Sequence, residues 1–145
     1  GKIHGGDVTL AYGQAKWPKG MKKIHAGMPA GYQKWYDNVL YCLEAGNLYG
    51  HLVAGKNWYM TMRKWHLDHG FVQSEYDPCY FWKLLADGTR MDMVMYVDDG
   101  YVVDAHSKLA DAELAQLNEA FTIDIKKAHF FLGNNVHVHA GDAAP

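Results

Sequence analysis

Cysteine is scarce in this chain, with only Cys42 and Cys79 in 145 residues. A pair so isolated makes neither a disulfide framework nor a zinc site, and it fits a reducing, intracellular setting. Long apolar runs are missing too, so neither a membrane span nor a signal peptide is expected. Charge of one sign is equally short. With 14 Lys and Arg against 16 Asp and Glu, the formal net charge of −2 leaves no whole-chain footprint for nucleic acid. Binding to such a polyanion needs a local basic patch. What is present describes an ordinary folded protein: 49% hydrophobic and 21% charged residues, in a length that suits a single domain over 1–145. The opening at Gly1, without methionine, suggests a piece cut from something longer.

Along the chain, residues 3–12 (IHGGDVTLAY) read as a short strand carrying Asp7. Residues 13–33 are rich in Gly, Pro and Lys and read as an irregular, solvated segment. A strand is expected over 38–44. From Ala54 to His69, Trp58, Met62 and Trp65 recur at helical spacing, and Gly70 stops the helix. "DPCYFWKLL" (77–85), the turn Asp87-Gly88 and "MDMVMYV" (91–97) make a hairpin, and "YVVDA" (101–105) completes a meander. Ser107 caps a helix over 108–120 whose apolar face is Leu109, Leu114, Leu117 and Phe121. One or two short strands close the chain. This order predicts an α+β fold with helices on one face of an antiparallel sheet.

The unusual feature is "MVMYVDDGYVVDA" (93–105), which sets Asp98 beside Asp99 at the tip of that hairpin. A plain turn needs one Asp before Gly, and Asp99-Gly100 supplies it. The extra carboxylate is either a solvated turn residue or chemistry. If the first strand lies beside this hairpin, Asp7 converges on the pair. Such an oxygen-rich, negative site suits Mg²⁺, and two ions can serve an in-line phosphoryl transfer.

"YVDD" (96–99) between apolar strands is similar to the signature of reverse transcriptase palm domains. The neighbouring words resemble the copia-type (Pseudoviridae) retrotransposon polymerase: "DVTLAY" (7–12), "NLYGHLVAGKNWY" (47–59), "GFVQSEYDPCYF" (70–81) and "FFLGNNV" (130–136), in the family's order. The resemblance implies a palm-like antiparallel sheet with helices on one face, incomplete because fingers, thumb and RNase H are not among these residues. It implies an RNA-directed DNA polymerase in which Asp7, Asp98 and Asp99 are catalytic and hold two Mg²⁺ or Mn²⁺ ions. A primer 3′-hydroxyl attacks the α-phosphorus of the incoming nucleotide. Val8 and Tyr12 would contact that nucleotide, with Tyr12 excluding a ribose 2′-hydroxyl; a core aromatic is the competing reading. Tyr96, Gly55 and Lys56 would meet primer and template. The implied partners are an RNA template, a DNA primer, deoxynucleotides and the integrase and RNase H parts of a polyprotein, with no membrane. The implied location is the cytoplasm, in virus-like particles, with a nuclear phase and no secretion.

Other residues carry less. Lys16, Lys19, Lys22 and Lys23 around Trp17, and Lys56, Arg63 and Lys64, suit a nucleic-acid backbone or simply a solvated face. The pairs His66/His69 and His137/His139 have chelating spacing but no Cys or carboxylate company. Two departures from the family pattern bear on activity. Leu52 and Val53 stand where a lysine and a template-positioning glutamine are usual, and "FTIDIKKAHFFLG" is one residue short and lacks an internal glycine. A decayed element, or a domesticated palm that binds without chemistry, is therefore the alternative.

Overall fold

A computed structural model describes residues 2–20, 24–26, 41–43, 47–104 and 108–137. The chain forms two compact units, Gly1–Ala11 with Met62–Pro145, and Tyr12–Thr61. In order, the elements are β1 (Lys2–Val8), α1 (Ala11–Gln14), β2 (Ile24–Ala26), β3 (Tyr41–Leu43), α2 (Ala54–Asp68), β4 (Val72–Gln73), β5 (Tyr80–Leu84), β6 (Arg90–Tyr96), β7 (Asp99–Asp104), α3 (Lys108–Ala120), β8 (Ile123–Lys127), β9 (Phe130–Phe131) and β10 (Asn134–Asn135). Ser107 and His139 lie outside the described residues, as do Lys22 and Lys23. Among the described residues no helix is long and apolar enough to cross a membrane.

The first unit is built on a six-stranded sheet in the order β4-β5-β6-β7-β1-β8, antiparallel throughout. Alternation along its strands gives it two unlike faces. On β6, Met91, Met93 and Met95 are buried, whereas Asp92, Val94 and Tyr96 face the other way. On β7 the buried set is Gly100, Val102 and Asp104. Leu114 and Leu117 of α3 meet Gly6, Met95 and Gly100 across a cavity of about 10 Å³, so this helix lies on the buried face. His66 joins the same core, its ring stacked on Phe81 with centroids 4.4 Å apart. After α2 the chain turns at Gly70, whose φ of +80° no side-chain-bearing residue adopts without strain.

Several expectations are corrected here. The first strand ends at Val8, and residues 11–14 form the short helix α1 instead. The segment read as irregular contains β2, which pairs with β3 in a separate two-stranded sheet of the second unit. Leu109 is 39% exposed, and its place on the apolar face of α3 is taken by Ala110, four residues before Leu114. The expected turn at Asp99-Gly100 is also displaced: the loop is Val97-Asp98, and both later residues already belong to β7. Gly100 is there for space. A Cβ on it would sit 2.9 Å from Met95 Sδ and 3.4 Å from the Gly6 carbonyl oxygen.

In the second unit, buried side-chain amides join α2 to the segment before it. The Asn47 amide donates to the Ala15 carbonyl at 2.8 Å, and the Asn57 amide donates to Asn47 Oδ1 at 2.8 Å, both buried. Buried amides left unpaired are costly, so this chain of bonds fixes the start of α2 against the segment before it.

Candidate active site

The site is made by strand register. Asp7 of β1 is the direct partner of Asp99 on β7, and on its other side it is the direct partner of Asp124 on β8. Cross-strand partners share a face. These carboxylates therefore stand in one row on the face that the helices do not cover. Asp98 occupies the two-residue loop next to the row, and its carbonyl accepts a 2.8 Å bond from the Val8 N–H, which ties the end of β1 to the loop. Closure of that loop puts Val97 at φ 55°, in the left-handed region. A β-branched residue is strained there, and strain of this kind gathers at functional sites.

Electrostatics show that the acids feel one another. The Asp99 carboxyl is raised above its ordinary range, first by burial and then by the negative charges of Asp98 and Asp7. The backbone N–H of Leu132, donated to Asp99, pulls the other way. Leu132 sits at the β9–β10 turn with φ 45°, and the ring of neighbouring Phe131 lies 5.2 Å from that of Tyr101 on β7. A cleft of about 210 Å³ opens beside the row, with Asp7, Asp99 and Asp124 on its wall together with Lys126, His129 and Phe130. Among the described residues no three His, Cys, Asp or Glu side chains are grouped so as to hold one metal ion.

The first unit thus brings together Asp7, Val8, Tyr96, Asp98 and Asp99. Val8 is buried behind the row, and Tyr96 is exposed at the loop. Tyr12, Gly55 and Lys56 belong to the second unit. There the Tyr12 ring lies 4.7 Å from that of Tyr49, and a Cβ on Gly55 would come within 3.5 Å of the Tyr12 hydroxyl. Lys56 is exposed on α2. The histidine pair of α2 is structural: His66 and His69 bond to the carbonyls of Met62 and Trp65 through Nδ1. Burial lowers His66 to about 4. Asp124 and Lys126 were not singled out by sequence. The alternation Ile123, Asp124, Ile125, Lys126 was the available signal, since it marks a half-buried strand with its charges on the open side.

The chain matches the family described as "Reverse transcriptase (RNA-dependent DNA polymerase)" over residues 2–144. It is 33% identical over 112 residues to the Retrovirus-related Pol polyprotein from transposon RE1 of Arabidopsis thaliana, covering 76% of this chain and 8% of that one. It is 23% identical over 116 residues to the Retrovirus-related Pol polyprotein from transposon TNT 1-94 of Nicotiana tabacum, covering 79% of this chain and 9% of that one. It therefore spans less than a tenth of the length of these curated relatives. No solved structure matches. With the family matched across nearly all of its residues, the chain belongs to the copia-type reverse transcriptases.

Proposed function

We propose that the chain is the palm-like core of an RNA-directed DNA polymerase, with Asp7, Asp98 and Asp99 as its metal-binding carboxylates. The observation that carries this reading is the register Asp7 to Asp99 with Asp98 in the adjoining strained loop. Reverse transcriptases generally use divalent ions, and exposed carboxylate oxygens suit Mg²⁺ or Mn²⁺, although the three side chains would have to draw closer to share one ion. When bound, two such ions stabilise the attacking and leaving oxygens of an in-line phosphoryl transfer.

The chain's own residues supply positioning. The ladders of β1 and β7 hold Asp7 and Asp99 side by side, the Leu132 N–H orients the Asp99 carboxylate, and the loop presents Asp98. Tyr96 offers an exposed ring to the primer end, Val8 and Tyr12 contact the incoming deoxynucleotide, and Gly55 and Lys56 meet the template. The remaining partners are an RNA template, a DNA primer and the integrase and RNase H parts of a polyprotein. Phosphoryl transfer depends mostly on positioning and electrostatics, so activity belongs to the polyprotein, and residues 1–145 alone do not extend a primer.

One observation favours a second reading, a catalytically silent relative: Leu52, 99% exposed, and Val53 stand where a lysine and a glutamine are usual. Primer extension on an RNA template by the polyprotein separates the two. Extension that Asp98→Asn abolishes supports the first reading. No extension supports the second, and extension that survives Asp98→Asn overturns the assignment of the carboxylates.

A further inference from the structure

Asp124 and Lys126 stand beside Asp7 without a role in the reading above. On β8, Asp124 is opposite Asp7, and Lys126 is opposite Gly5, which has no side chain to fill its place on the open face. The Lys126 ammonium therefore has two carboxylates within its span. One is Asp124, two residues back on its own strand; the other is Asp7, its diagonal neighbour on β1. Diagonal positions lie about 7–8 Å apart, within reach of a long side chain. The structure pairs Lys126 Nζ with Asp124 Oδ2.

Stability does not explain this pair. The two side chains are 69% and 56% exposed, and ion pairs so open contribute little to folding. Location explains it better. An ammonium group resting on Asp7 would neutralise a carboxylate that a cation needs, and like charges so close repel an incoming ion. We infer that Asp124 is a positioning residue, holding the Lys126 ammonium off Asp7 so that the Asp7 carboxylate stays open to a divalent cation. This rests on the proposed role of Asp7 as a metal ligand. Asp7 and Lys126 also line the same cleft, so the competing partner is at hand.

Two measurements on the 145-residue chain test this. The first is Mn²⁺ affinity, read from the free-ion electron paramagnetic resonance signal, in wild type, Asp124→Asn, Lys126→Ala and the double variant, with Asp7→Asn as control. Asp124→Asn is expected to weaken Mn²⁺ binding roughly fivefold to tenfold. In the Lys126→Ala background the same substitution is expected to change affinity less than about twofold, because no ammonium is left to move. An equal loss in both backgrounds overturns the inference, since it makes Asp124 a ligand or a simple additive charge. Unchanged affinity in Asp7→Asn overturns the metal reading itself. The second measurement needs no metal: ¹H–¹⁵N spectra of the Lys126 ammonium, with couplings across its hydrogen bond. That group is expected to couple to Asp124 in wild type and to Asp7 in Asp124→Asn. A Lys126 ammonium that remains uncoupled from Asp7 in the variant sinks the inference, whatever the metal does.

Discussion

On one side of β6, Met91, Met93 and Met95 are packed under helices; on the other side the same strand shows Asp92, Val94 and Tyr96 to the open. The covered face is selected by volume. Gly6 and Gly100 are bare where Ile123 and Met95 come close, and His66 serves there as a flat ring stacked on Phe81. The open face is selected by charge. Its acids stand in a row despite mutual repulsion, and Tyr80, Arg90 and Asp92 are joined there by hydrogen bonds beneath an Arg90–Trp82 contact. Desolvation penalises charge at both places, with opposite outcomes. His66 stays neutral, whereas Asp99 keeps two like-charged neighbours that packing alone would have removed. A carboxylate row of that kind costs stability, and the metal-binding role proposed for it would offset that cost.

The comparison is sharpest at two adjacent residues of β5. Phe81 is 1% exposed on the covered face, and Trp82 is half-buried on the open one. Phe81→Ala is expected to lose about 4 kcal/mol, through lost burial and the cavity left against His66. Trp82→Ala is expected to lose about 1 kcal/mol, mostly the contact with the Arg90 guanidinium. Urea midpoints of the two variants measure the difference. Similar losses would mean that both faces are packed alike.

His66 gives the next largest effect. Its folded pKa of about 4 lies below the ordinary value of 6.5, so as pH falls the unfolded chain takes up the proton first. This contribution is complete above the unfolded value and is lost between there and the folded value, by about 3 kcal/mol in all. Its Nε2 has no partner in the core. His66→Leu therefore removes a buried unsatisfied acceptor and should flatten the acid limb of stability. Urea melts at neutral and mildly acid pH check this, and an acid limb unchanged in the variant would move the titration to another group.

Much of the covered face was legible in sequence, because periodicity reports burial directly. The α2 stripe of Trp58 and Met62, the helix over 108–120 and the meander were all readable from spacing. The open face was less so. Charge alternation in Asp124 and Lys126 looked like ordinary solvation, and only pairing with β1 gives it a meaning. Gly100 was misread for a related reason: a glycine after Asp signals a turn, but here it faces Met95 on the paired strand, and only the register of the hairpin shows that. Asp7 is far from Asp98 in sequence, and no spacing rule joins them. Family resemblance pointed to the pair; the register then set Asp7 opposite Asp99, with Asp98 in the adjoining loop.

A further expected effect bears on the open face alone. The raised pKa of Asp99 means that the folded chain holds this proton more tightly than the unfolded one. The burial and repulsion it reflects are therefore felt in full above the raised value and are relieved as pH falls through it toward the ordinary 3.8. At neutral pH a divalent cation can do what a proton does in acid. Mn²⁺ that binds only the folded chain stabilises it by mass action, about 1.4 kcal/mol at ten times its dissociation constant. That corresponds to a rise of a few degrees in Tm for a chain of this size. Millimolar Mn²⁺ should produce the rise in wild type, and Asp98→Asn should remove most of it. Ionic-strength controls with Na⁺ should affect both chains alike, because screening does not distinguish the loop from any other exposed charge. An equal rise in Asp98→Asn would place the ions elsewhere, and the carboxylate row would then be a cost without the benefit proposed for it.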